Sequence, residues 1–169
     1  TSGNPGGRSK NIYENLFKPV GELYSSKEVI ESSPKYCIVI SGINDAVTQS
    51  GPEFYAYHMT LIVKTLLHYN STPVIVNIPR VGLDENFAEK SGFVKFSNKI
   101  SSAILNNGED LTVDDYRNQL VLELKKENLL NKVIMVNPDE VGIDYKLNRK
   151  EFWDPLHMNE AGYEKFSTH

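Results

Sequence analysis

Residues 36–45 read "YCIVISGIND". The run 36–41 is short, apolar and rich in β-branched residues, which suits a strand covered on both faces. Gly42 permits a tight exit from that strand. Asn44 then stands just past its carboxyl end, and Asp45 follows as a candidate cap. Two similar runs lie downstream, "TPVIVNIP" at 72–79 and "KVIMVNP" at 132–138. Between them the apolar period changes. Phe54, Tyr57, Leu61, Ile62, Leu66 and Tyr69 recur at helical spacing across 52–69. Residues 112–128 are amphipathic, with Thr112 or Asp114 placed to cap their start. Upstream, the Gly-rich turn "TSGNPGGRS" leads into a helical pattern over 10–23, with Ile12, Leu16 and Val20 on one face. A helix is expected near 93–105, inside the polar stretch 80–112, and Asn159 is placed to cap a last helix. Strands alternating with helices predict a parallel α/β sandwich, here one domain over residues 1–169. In such sheets function gathers in the loops beyond the carboxyl ends of the strands.

Composition narrows the class. With 40% hydrophobic and 24% charged residues, the 169-residue chain has the make-up of a globular protein with its own core. A net charge of −4 gives no electrostatic footprint for nucleic acid or an anionic membrane. No apolar run approaches the ~20 residues needed to span a bilayer. The one cysteine, Cys37, excludes an internal disulfide and a cysteine-built metal site. The sequence opens with neither Met nor a signal peptide, so residue 1 is expected to lie inside a longer gene product.

Three stretches fall where the fold would gather function. In "WDPLH", Asp154 precedes His157 by three residues. A carboxylate at that distance can hold an imidazole in one tautomer and stabilise its charged form, as a general base requires. A surface Asp beside a helix-capping His is the plainer alternative, and for a lone D-x-x-H the commoner one. Asn44 offers an uncharged amide N–H, suited to a developing oxyanion; an Asn-Asp turn ending a strand is the alternative. Gly6 and Gly7 precede a helix, where main-chain N–H groups lack partners and glycine lets a ligand come close. Taken alone, that stretch reads as a flexible turn.

Together these pieces supply backbone donor, side-chain donor and oriented base, the parts of acyl-transfer chemistry. In that order, "GNPGGRS", "SGIND" and "DPLHMNEAGY" resemble the later motif blocks of the SGNH (GDSL-type) hydrolase superfamily, across roughly residues 4–166. The resemblance implies a three-layer α/β/α sandwich with a flavodoxin-like parallel sheet. It implies a serine ester hydrolase with no cofactor. His157 would be base and then acid, Asp154 its orienting partner, and Asn44 and Gly7 oxyanion donors, with Gly6 as the competing register. "GGRS" also resembles the turn of rhamnogalacturonan acetylesterase-type members. That points to a small-molecule or carbohydrate ester, with O-acetylesterase as the activity and O-acetyltransferase as its sister.

One block of that pattern is missing. The family's nucleophilic serine lies in a G-D-S motif ending the first strand, and this sequence has no G-D-S. Ser2 has no strand behind it, while Ser9 and Ser41 belong to other blocks. The expectation is a companion N-terminal segment that supplies the first strand and the serine. A non-catalytic glycan- or partner-binding module is the competing class, and a metal site at Asp154 and His157 lacks a third ligand at recognisable spacing. His58 and His68, ten apart, are expected at the surface or its boundary, and Arg80 as an exposed charge. Trp153 and Phe152 either line a pocket or anchor the Asp–His loop.

Overall fold

The computed structural model describes residues 2–89 and 111–168. Three parallel strands form one sheet in the order β1 (Tyr36–Ile40), β2 (Thr72–Val76), β3 (Ile134–Val136). The helices are α1 (Ser9–Asn15), α2 (Lys27–Glu31), α3 (Ile43–Val47), α4 (Pro52–His68), α5 (Leu83–Glu89), α6 (Val113–Lys126) and α7 (Glu160–Ser167). The α/β architecture with a parallel sheet is the one read from the alternating pattern. The helix expected near 93–105 lies outside the described residues.

Local chemistry sets the long helices. Pro52 begins α4 at a position whose N–H has no helical partner anyway. The Thr112 side chain accepts from the Asp115 N–H while the Asp115 carboxylate accepts from the Thr112 N–H, closing a capping box on α6. Asp114 and Asp115 in its first turn and Lys125 and Lys126 in its last also suit the helix dipole. Asn159 caps α7 by accepting from the Gly162 N–H at 3.0 Å.

The core forms where α4 meets α6. Tyr55, Met59, Ile62 and Leu66 of α4 are buried with Tyr116, Leu120 and Leu124 of α6, and Val39 and Ile75 join them from the sheet. The Tyr55 and Tyr116 rings meet edge-on, 5.9 Å apart.

Three details differ from the sequence reading. The first helix stops at Asn15, before Pro19 and Gly21; Leu16 is buried but Val20 is exposed. On α4, Tyr57 faces outward, and the buried stripe runs through Tyr55, Met59, Ile62 and Leu66 instead. Most telling, β1 is not covered on both faces. Val39 is buried, while Tyr36, Ile38 and Ile40 on the opposite face are 51%, 66% and 65% exposed. The core helices cover one side of this strand and leave its other side open.

Candidate active site

The turn before α1 and the turn after β1 come together. Asn4–Gly7 close a tight turn, with the Gly7 N–H donating to the Asn4 carbonyl at 2.9 Å and Gly6 at φ +71°. The Asn44 amide donates to the Gly7 carbonyl at 3.1 Å, so these two candidates are neighbours across 37 residues of sequence. Asp45 is what holds them. Fully buried, its carboxylate accepts from the Ser9 N–H at 2.8 Å and the Ser9 hydroxyl at 2.7 Å. The Tyr116 hydroxyl donates to the Asp45 carbonyl at 3.2 Å, tying α6 to the same point. Burial pushes the Asp45 carboxyl above the usual carboxylate range, against the opposing pull of the Ser9 donors and the charges of Arg8 and His58.

Sequence reading gave Asp45 only a capping role and gave Ser9 none. The pair is contributed by two elements far apart in the chain, so no local spacing marks it. Gly42 is required here: its φ is +118°, and a Cβ would come within 2.6–2.7 Å of the Ile78 and Tyr55 side chains.

At the other end of the chain, Asp154 and His157 form the expected pair. His157 Nδ1 lies 2.8 Å from one Asp154 oxygen and 3.0 Å from the other. The main-chain N–H groups of Leu156 and His157 donate to the same carboxylate at 2.8 and 2.9 Å. Desolvation pushes the Asp154 carboxyl up, but those N–H donors and the His157 ring outweigh it and hold it below its ordinary value. The loop itself is pinned. The Trp153 N–H donates to the His157 carbonyl at 2.8 Å, and the Gly82 N–H to the Pro155 carbonyl at 2.7 Å. The second bond links this loop to the one after β2.

Beside the pair is a cavity of about 180 Å³ lined by Tyr145, Arg149, Phe152, Trp153, Asp154 and Pro155. It is smaller than the ~300 Å³ and above of pockets that enclose a small molecule. Phe152 is buried and anchors the loop, while Trp153 is 77% exposed. Among the described residues no hydrogen bond joins the Gly7–Asn44 pair to the Asp154–His157 pair, and no hydroxyl or thiol is hydrogen-bonded to His157.

The remaining candidates have structural partners. His58 is buried, not at the surface: its Nδ1 meets the Phe54 carbonyl at 2.8 Å, and Phe54, Tyr57 and Tyr13 rings surround it. Arg80 pairs with Asp139 at 2.9 Å and Asp114 at 3.0 Å. Arg117, which the sequence did not mark, binds the Ile78 carbonyl and Asp139 and so locks α6 to the loop after β2.

Comparison with known proteins gives a fold. The chain is similar to the crystal structure of a GDSL-like lipase from Bacteroides thetaiotaomicron VPI-5482, with a TM-score of 0.63 and 12% identity over 96% of this chain and 68% of that one. No family model matches the sequence, and no curated protein does. At that identity the likeness shows the fold alone, in agreement with the parallel sheet.

Proposed function

We propose that this chain carries the base, its orienting acid and part of the oxyanion hole of a serine ester hydrolase acting on O-acetylated carbohydrate. The observation that carries the reading is the Asp154–His157 pair, in which both carboxylate oxygens lie on Nδ1. A ring held at that nitrogen presents Nε2 as the acceptor for a hydroxyl proton. The main-chain N–H groups of Leu156 and His157 close a turn on the Asp154 carboxylate and fix its orientation toward the ring. Asn44 spends one amide N–H on the Gly7 carbonyl and keeps the second for an oxyanion. The Gly7 N–H is engaged within its turn, whereas that of Gly6 has no partner among the described residues. The geometry therefore favours the Gly6 register for the backbone donor unless the turn opens.

In this mechanism a serine oxygen attacks the ester carbonyl and His157 takes its proton. The tetrahedral oxyanion forms against Asn44 and the glycine turn. His157 then protonates the leaving sugar oxygen. Water resolves the acyl-enzyme by the same route, and a sugar hydroxyl in place of water gives the transferase outcome. The serine is supplied by a segment outside residues 1–169. No helix among the described residues is long and apolar enough to cross a membrane.

A second reading, a glycan-binding module without catalysis, is favoured by the lack of any hydroxyl on His157 among the described residues. A fluorophosphonate probe on the natural gene product separates the two. Labelling that disappears in His157→Ala is the expected result, and no labelling of folded protein gives the binding module. In the same protein, Asn44→Ala is expected to lower acetyl-ester turnover by ~10²–10³ while KM changes little. Unchanged turnover would remove Asn44 from the mechanism.

A further inference from the structure

Arg80 and Arg117 both pair with Asp139. Arg149 is placed differently. Its guanidinium lies over the Tyr145 ring, 5.4 Å from the centroid, within reach of a cation–π attraction. Tyr145 is itself fixed, buried and edge-on to Phe152 at 5.4 Å. The ring that carries Arg149 is thus part of the core. The carboxylates of the same stretch are engaged elsewhere. Asp144 accepts from the Lys146 and Leu147 N–H groups, Glu151 pairs with Lys165, and Asp154 pairs with His157. Among the described residues neither Arg149 nor its neighbour Lys150 has a carboxylate partner. That leaves the stretch locally positive on a chain of net charge −4. The second feature is Trp153, exposed on a backbone pinned by its N–H to the His157 carbonyl at 2.8 Å. A single exposed apolar side chain needs no explanation. Here, however, the indole and the guanidinium line one cavity of about 180 Å³, and Asp154 lines it with them. At ~30 Å³ per water that space equals about six waters. It admits one charged group of a ligand and leaves the rest outside.

We infer that Arg149 and Trp153 form a subsite for an anionic sugar residue. Its carboxylate or sulfate enters the cavity and meets the Arg149 guanidinium, and the apolar face of its ring lies on the indole. Arginine presents a planar fork of donors to such oxygens. Its seat on Tyr145 limits the rotamer freedom that binding would otherwise cost. Trp153 offers a broad flat surface with only two side-chain torsions to fix. Asp154 does not oppose the anion, because its oxygens already face two main-chain N–H groups and the His157 ring. A neutral glycan is the competing ligand. It would use the indole and leave the guanidinium without a counter-charge. That the same sugar chain bears the ester rests on the hydrolase reading; the subsite itself does not.

Calorimetric titration of the natural gene product tests the inference. The ligands are hexuronate trimers, the methyl esters of those trimers, and a galactose trimer with and without sulfate. A uronate or sulfated trimer is expected to bind, about tenfold or more tighter than its uncharged counterpart, and to weaken with added salt. Which of the two binds identifies the source of the charge. Arg149→Gln is expected to weaken that ligand about ten- to a hundredfold, the range for losing hydrogen bonds to a charged group, and to flatten the salt dependence. Trp153→Ala is expected to weaken charged and uncharged trimers alike, by about fivefold or more. Both side chains face solvent, so each variant should keep the near-ultraviolet dichroism of the parent. Charged and neutral trimers bound equally, no trimer bound, or an anion whose affinity survives Arg149→Gln would overturn the inference. An acidic trimer bound by a protein that resists the fluorophosphonate probe sinks the hydrolase reading and leaves the subsite standing. Labelled protein that ignores charge does the reverse.

Discussion

Asp45 and Asp154 share a side chain and have opposite surroundings. Asp45 is fully buried against Ser9, and burial raises its folded-state pKa. The stability linked to it is therefore fully present below the unfolded value near 3.8 and is lost as pH rises through the raised folded value. Asp154 is half exposed, and N–H donors and the His157 ring lower its folded value. Its share is present above 3.8 and is lost only as pH falls through the lowered value. Asp45→Asn cannot ionise, so the stability of the variant relative to the parent is expected to climb as pH rises from about 4 toward neutrality. Urea melts at a series of pH values check this, and a pH-independent difference would show that folding does not shift the Asp45 carboxyl. At this scale the contact between Asp154 and His157 was readable because D-x-x-H is local in sequence. The Ser9–Asp45 contact was not, because it exists only once α1 and α3 are packed.

At the scale of elements, glycines and one arginine control how the site-bearing turns sit. Ala at position 42 would place a methyl group into Ile78 and Tyr55 at a backbone angle that L-residues avoid. Gly42→Ala is expected to cost about 1–3 kcal/mol in a urea melt, from the strained backbone alone. At Gly162 a Cβ would collide with the Glu151 carbonyl, so α7 can approach the Asp–His loop only with glycine there. Arg117 is mostly buried and binds both the Ile78 carbonyl and Asp139. Desolvation raises the Asp139 carboxyl, but the Arg117 and Arg80 guanidiniums prevail and hold it below its usual range. Arg117→Met keeps much of the volume and removes the charge. A loss of about 1.5–3 kcal/mol is expected by the same melt, the range for hydrogen bonds to charged groups. The three strands and the α4 and α6 helices were readable from period and β-branching. The short first helix was not, because its length is set by Pro19 and Gly21 against the packing of Leu16. Arg117 looked like any polar residue on an amphipathic helix, and only the fold brings the loop after β2 beneath it.

Across the molecule, burial is uneven. It is deepest between α4, α6 and the Val39–Ile75 side of the sheet, and shallow on the face bearing Ile38 and Ile134. Native-state exchange is expected to follow that gradient, slowest in α4 and α6 and fastest at the outward amides of β1. Equal protection along β1 in the isolated chain would contradict the edge assignment. The parallel arrangement was inferable from alternation, but the strand order and the bare face were not. An unbroken apolar run says that both faces favour cover and does not say what provides it. The exposure of Trp153 bears on how this protein can be studied. It is the chain's one indole and stands 77% in solvent beside Asp154. Its emission in the native protein will resemble that of a water-bathed fluorophore, and global denaturation will barely move it. The same insensitivity makes it a quiet baseline for anything that settles next to the Asp–His loop, whereas the packed Tyr55 and Tyr116 rings offer a near-ultraviolet dichroism signal for the interior.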